Sequence, residues 1–280
     1  MMTFRRFLAR YLSLGYFRVI SWGLLGVMCL WFLAPKVAYA QDSVQRDQQA
    51  LTLIAQVIAT GGGQDLLTSI QDLTETGTVT YNFAEPVTGN VTVRSRGLHQ
   101  FRIDADLPQG RRTTVVNGES GSLMQADGQR WPIHRQSAAG LGSLTLPYLP
   151  LIDAMQDSSV SIVYGGLTTH NGASAYDIRL QRVYTKQQDP SGNRGAREAR
   201  EFYIDPKTLL VSAVSDRIHF GVDSNDEGVP HEILYSNYQS ENGIIVPLTI
   251  METVRGVTGF TMNLNQVTVN SGLDGSEFAW

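Results

Sequence analysis

The chain has 280 residues, a formal net charge of −4 and one cysteine. That length suits one large β domain or two small domains. The acidic balance argues against nucleic acid and anionic membrane surfaces as partners, and a lone cysteine excludes a framework of internal disulfides.

Residues 1–18 carry Arg5, Arg6, Arg10 and Arg18 and no acid, and residues 19–34 are nearly all apolar. Pro35 breaks the run, and Ala38-Tyr39-Ala40 offers small residues at the two positions a signal peptidase reads. A basic start, a short apolar middle and a small-residue end form the secretory signal pattern. The apolar run of 16 residues is shorter than the roughly 20 of a spanning helix. Cleavage after Ala40 and a periplasmic destination are expected, with a retained membrane anchor as the alternative. Cys29 lies inside the apolar run behind the bulky Met28, a poor context for lipidation, and reads as apolar filler. Five of the 22 Lys and Arg leave with residues 1–40 and all 26 Asp and Glu stay. The remaining 41–280 carries 17 basic against 26 acidic residues, a formal charge of −9. An exported chain without cysteine has to be held by its core alone.

Residues 44–73 form the one amphipathic helical region, with Leu51, Ile54, Ala55 and Ile58 on one face. Gly61-Gly62-Gly63 stops that helix, and Leu66, Leu67, Ile70 and Leu73 suggest a second short apolar face. The triple glycine lacks the Lys-Ser/Thr of a phosphate loop. From Gly77 the period becomes two: Val79, Tyr81 and Phe83, then Val91 and Val93 after a turn at 85–89, then Phe101 and Ile103. Further short strands are expected at 111–117, 119–126 and 129–134, joined by hairpins at Asn117-Gly118 and Asp127-Gly128. Residues 143–157 interrupt the strands with a leucine-rich helical stretch, which Pro147 and Pro150 kink or divide. Strand signals return at 158–170, 174–185 and 199–205, and the polar stretch 186–200 reads as a mobile loop. The last third alternates throughout: Ile218, Phe220 and Val222; Ile233 and Tyr235; Val246, Leu248 and Ile250; Phe260, Met262 and Leu264. Val267 and Val269 follow after a slip of phase near Asn265, the mark of a β-bulge. The expectation is a single mainly β (α+β) domain over 41–280. It would be a strongly curved antiparallel sheet, a half-open barrel of roughly ten strands, covered by an N-terminal helix and a mid-chain helical lid.

Chemistry is not written in this chain. His99, His134, His170, His219 and His231 have no metal-ligand spacing, and His231-Glu232 adjacent on a strand would face opposite ways. Asp104 and Asp106 share a face and offer a carboxylate pair, with surface solvation as the plainer account. Gly118-Glu119-Ser120-Gly121-Ser122 lacks the spacing and context of a nucleophile elbow. No catalytic residue, metal or cofactor is expected. The inner face of such a sheet is filled by side chains, covered by helices or left as a cavity for an apolar ligand.

The order of elements resembles a known superfamily. A helix ending in glycines leads to "LTSIQDLTETGTVTY", "GNVTVRSRGLHQFRID" and "TTVVNGESGSLMQADGQRWPIH", then a leucine-rich helix, and near the end "ENGIIVPLTI" and a terminal "EFAW". The pattern is similar to periplasmic lipoprotein carriers and their outer-membrane receptors, a superfamily that also holds lipid-carrying lipoproteins and an envelope-stress sensor. The resemblance implies a half-open β-barrel closed by helices, with an apolar cavity for acyl chains. It implies a monomeric, non-catalytic carrier of a lipid or an acylated protein. The alternatives are a sensor of the same fold with an envelope protein partner, or a structural protein with a filled core. On this reading Val79, Tyr81, Phe83, Val91, Val93, Phe101 and Ile103 are the inner-face candidates, and Leu144, Tyr148, Leu149 and Ile152 the lid. Arg96 is the nearest match to the arginine that helps hold the lid in the carriers, with Gly97 where they have proline.

Overall fold

The computed structural model describes residues 43–82, 85–133, 137–138, 141–219 and 228–280. The expected signal segment, residues 1–40 with Cys29, and Phe83, His134, Phe220 and Val222 lie outside the described residues. Two helices, α1 (Gln48–Thr60) and α2 (Gln64–Thr68), open the described chain. Six strands follow: β1 (Leu73–Asn82), β2 (Pro86–Arg96), β3 (Gln100–Leu107), β4 (Gly110–Asn117), β5 (Ser120–Met124) and β6 (Arg130–Ile133). After α3 (Leu149–Gln156) come β7 (Val160–His170) and β8 (Ala173–Arg182). A one-turn helix α4 (Arg194–Arg197) then precedes β9 (Arg200–Ile204). The last strands are β10 (Val211–Ile218), β11 (Val229–Glu241), β12 (Ile244–Val254) and β13 (Val257–Val269).

The strands form one open antiparallel sheet in the order β6-β5-β4-β3-β2-β1-β13-β12-β11-β10-β9-β8-β7. The chain therefore starts mid-sheet and meanders to one edge at β6. It crosses once to the opposite edge at β7 and meanders back until β13 lies beside β1. That crossing is the leucine-rich stretch. Thirteen strands replace the expected ten or so. Strand β10 lies earlier than the expected alternation at Ile218, because its Ser212, Ser215, Asp216 and Arg217 dilute the pattern that marks a strand.

Local differences have plain causes. The buried face of α1 is Ala50, Leu53, Ile54, Val57 and Ile58, so Ala55 points outward; Leu53 and Val57 offer more apolar area. Leu73 begins β1 instead of extending a second helix. Asn82 pairs with Pro86, so residues 86–89, expected in a turn, belong to β2. The bulge expected near Asn265 is present: Thr76 pairs with Gln266 and Gly77 with Leu264, which leaves Asn265 without a partner. A Cβ on Gly77 would lie 2.1 Å from the Asn263 carbonyl oxygen, so only glycine fits this crowded point. Three tight hairpins, Asn171-Gly172, Asn242-Gly243 and Arg255-Gly256, hold both loop residues at positive φ, as two-residue turns demand. In 186–200 the Asp189 carboxylate accepts from the backbone of Gly192 and Arg194 and from Ser191, which organises the turn before α4.

Arg46 ties the start of the described chain to the end of α3. Its guanidinium donates to the carbonyls of Ala154, Met155, Asp157 and Val160 at 2.9–3.2 Å. These are carbonyls at and just beyond the end of α3, where the helix leaves acceptors unfilled and the dipole favours a cation. Arg46 also forms a parallel bridge with Ile162 on the edge strand β7.

Glu75 is the odd residue of the core. It is fully buried on β1, and neither carboxylate oxygen makes a hydrogen bond of ordinary geometry among the described residues, Thr145 being its polar neighbour. Burial pushes its pKa up to about 7, and the Thr145 hydroxyl offsets this only in part.

Replacing Arg46 by Ala is expected to lower the unfolding free energy by about 2–3 kcal/mol, from lost charged hydrogen bonds at a half-buried site. Urea denaturation reads this directly, and an unchanged midpoint would refute the clasp. For Glu75 the folded pKa lies above the ordinary 4.5, so the folded protein keeps a proton that the unfolded chain releases. Its penalty is absent below about pH 4.5 and grows as the pH rises to about 7. Relative to Glu75→Gln, the wild type should lose up to ~3 kcal/mol across that window. Parallel stability curves for the two proteins would show that Glu75 is not held neutral.

Candidate functional site

One row of paired residues builds the site. Tyr81 pairs with Phe260, Phe260 with Glu252, Glu252 with Ile233, Ile233 with Val214 and Val214 with Phe202. Directly paired residues share a face, so this row runs across six strands from β1 to β9. All six side chains line a cavity of about 460 Å³ under the sheet. Ile103 and Leu123 extend the wall towards β5, while Leu141, Leu144 and Pro147 of the crossing segment cover it. Trp131 stands at the rim on the edge strand β6 and is 55% exposed.

Glu252 is the single charge in an otherwise apolar row, and it belongs to a network. His231 Nδ1 lies 2.6 Å from Asp216 Oδ1 and its Nε2 lies 3.3 Å from Glu252 Oε1. All three residues line the cavity. Burial alone would depress the imidazole, but the hydrogen bonds to Asp216 and Glu252 outweigh it and push the pKa up to about 10. The ring is therefore an imidazolium clamped between two carboxylates at neutral pH. Gly259 lies beside this arrangement, where a Cβ would lie 2.6 Å from Glu252 Oε2, the movable end of that side chain. On the β4 wall Arg112 donates to Gln125 at 2.8 Å and lies over the Tyr81 ring at 4.6 Å. Burial raises the Tyr81 hydroxyl, the Arg112 charge pulls it back and Glu252 raises it further, so Arg112 and Glu252 flank the same ring.

The structure divides the residues singled out from the sequence. Tyr81, Ile103 and Leu144 line the cavity. Val79, Val91, Val93 and Phe101 are buried on the inner face but belong to the packed core, as do Tyr148 and Ile152. Leu149 is half-buried against that core. The Tyr148 ring packs on the end of α1, where a Cβ on Gly61 would lie 2.8 Å from it. Arg96 is exposed at the end of β2, outside the cavity lining, where its charge helps lower the Asp274 carboxyl. Sequence reasoning missed Asp216, His231 and Glu252, although the parity was there. Val246, Leu248 and Ile250 put Glu252 on the inner face, Ile233 and Tyr235 do so for His231, and Ile218 for Asp216.

The other chemical candidates are structural. Asp104 accepts from Arg94, Arg102 and Thr113 at 2.7–3.1 Å, and Asp106 accepts from the exposed Arg111. His170 bonds Glu232 and stacks on Tyr203 at 3.5 Å, on the side of the sheet opposite His231. Gly118-Glu119 is a hairpin loop between β4 and β5. Among the described residues no group of three or more His, Cys, Asp and Glu could hold a metal, and no helix is long and apolar enough to cross a membrane.

No family model matches the chain, and no curated protein matches it in sequence. Solved structures do. An outer membrane lipoprotein-sorting protein domain from Vibrio parahaemolyticus aligns over 82% of this chain and 96% of its own, at 10% identity and a TM-score of 0.51. A DUF1329 family protein from Desulfovibrio piger aligns over 84% of this chain and 98% of its own, at 12% identity and a TM-score of 0.52. At such identities the likeness is one of backbone. The chain shares the open antiparallel-sheet fold of these two structures.

Proposed function

We propose that this protein is an exported, non-catalytic carrier that shelters a lipid or an acylated ligand beneath its sheet. The observation that carries this reading is the apolar row Tyr81, Phe260, Ile233, Val214 and Phe202, which lines a cavity of about 460 Å³. The leader-like residues 1–40 and the fold shared with a lipoprotein-sorting domain support the same conclusion. The driving force is transfer of acyl chain out of water, about 0.8 kcal/mol per buried methylene. From a bilayer that gain vanishes, because lipid tails are already apolar. The carrier then takes and gives up its ligand near balance. A crossing segment that touches the cavity through Leu141, Leu144 and Pro147 is a suitable cover, since its contacts are apolar and reversible.

Native mass spectrometry of protein purified from a periplasmic extract is expected to find a stoichiometric lipid or acyl adduct on a polypeptide beginning at Gln41. A retained residue 1–40 would overturn the cleavage, and a bare mass that takes up no added phospholipid would overturn the carrier. Val214→Trp fills the cavity without adding charge. It should abolish lipid uptake while shifting the melting temperature by only a few degrees, as a modest overpacking does.

A further inference from the structure

We infer that Glu75 is a proton-operated latch on the crossing segment 143–148: with the acid neutral the segment lies closed over the cavity, and ionisation favours lifting it and exchanging the ligand. The ligand half of this inference rests on the carrier reading above. Glu75 is fully buried on the inner face of β1, and neither carboxylate oxygen makes a hydrogen bond of ordinary geometry among the described residues. A carboxylate so placed regains solvation only when a covering element moves away. The element that faces it is the crossing segment, through Thr145, which is itself buried. The same segment covers the cavity through Leu144 and Pro147, so a movement that wets Glu75 also opens the cavity. The segment is pinned at both ends. Gly142 sits against the Leu98 carbonyl, where a Cβ would lie 1.8 Å from the oxygen, and Arg46 fills the carbonyls at the far end of α3. Between these points the backbone N–H groups of Leu146 and Leu149 donate to Ser143 and Leu146, inside the stretch. Such a stretch lifts as a piece, losing side-chain packing while its own backbone bonds persist.

The surroundings leave Glu75 as the group that titrates. Its partners across β1 are Val93 on β2 and Val267 on β13, and the buried face of α1 is apolar. The tyrosines of the same core, Tyr81, Tyr148, Tyr235 and Tyr238, are raised by burial and stay neutral up to pH 8. The charges of the cavity wall belong to Arg112, Arg200, Asp216, His231 and Glu252. What moves Glu75 is burial first, offset in part by the Thr145 hydroxyl. Because burial raises its pKa, the closed form is at full strength below about pH 4.5 and weakens as the pH rises to about 7.

Beyond residue 40 the chain holds no cysteine, so one introduced thiol reports opening. Leu146→Cys places it on the segment and Val116→Cys in the sheet core, both at buried sites. Iodoacetamide labelling of Leu146→Cys is measured with and without Glu75→Gln, and the ratio of the two rates cancels the ionisation of the thiol itself. That ratio should rise about 25-fold between pH 5.5 and 8, as linkage requires for a carboxyl whose pKa falls from about 7 to 4.5 on opening. Labelling of Leu146→Cys should also outpace that of Val116→Cys, since the sheet stays folded. A flat ratio would overturn the latch, and so would equal rates at the two sites, which would mean global unfolding. Should Glu75→Gln not fold, Glu75→Leu takes its place, because the strand partners Val93 and Val267 are apolar. The ligand probe is lysophosphatidylcholine, whose charge is the same at both pH values. Its dissociation from the wild type should quicken by a similar factor from pH 5.5 to 8 and stay flat in Glu75→Gln. Dissociation that ignores pH beside a rising labelling ratio would uncouple Glu75 from the cavity and overturn the inference. Failure of the wild type to bind this lipid would instead overturn the carrier reading, and the labelling ratio alone would then decide the latch.

Discussion

Covering the inner face of the sheet is the constraint on which the rest of the structure depends. Thirteen strands with their natural twist curl into an open trough whose inner side is apolar and has to leave water. The helices available are short: α1 has 13 residues and α3 has 8. Where they and the sheet meet, packing is complete, and Val93, Phe101, Ile162 and Tyr148 have no exposure at all. Where they do not reach, the row from Tyr81 to Phe202 faces a cavity. One crossing of the chain, from β6 to β7, serves both purposes. It joins the two edges that the meander leaves farthest apart in the strand order, and it lays Leu144 over the cavity and Leu151 and Ile152 into the core. Arg46 secures that crossing by filling the carbonyls at its end.

Two inward-facing acids on this sheet sit in different surroundings. Glu75 lies in a packed region with Thr145 as its polar neighbour, and burial drives it towards the neutral acid. Glu252 is half-buried on the wall of the cavity and shares His231 with Asp216, and those hydrogen bonds keep the imidazole protonated against the cost of its burial.

The residues that bend the sheet act at single points. Asn265 is bulged out opposite Thr76 and Gly77, and Gly77 lets the strand backbone of β13 approach where any side chain would collide. Such a bulge increases local twist and turns a flat sheet into a trough. The two-residue turns at Asn242-Gly243 and Arg255-Gly256 join β11 to β12 and β12 to β13, the strands that carry Ile233, Glu252 and Phe260 of the cavity row.

What the sequence by itself determined is everything of short range. Alternation at Val79 and Tyr81, at Val91 and Val93, and at Phe101 and Ile103 assigned the inner face, because side-chain parity in a strand needs no partner to be read. The slip of phase at Asn265 and the prolines of the crossing segment were legible for the same reason. Strand β10 was not, since its serines, Asp216 and Arg217 blur the period. Tertiary structure decided which inward residues line a cavity: Phe101 and Tyr81 have the same parity and both are buried, yet Tyr81 lines the cavity and Phe101 does not. That choice depends on where α1, α3 and the crossing segment come to rest. It also decided the polar cluster, since Asp216, His231 and Glu252 meet only when β10, β11 and β12 pair in register. Parity tells which way a side chain points, but what it meets there is set by strands and helices brought together from distant parts of the chain.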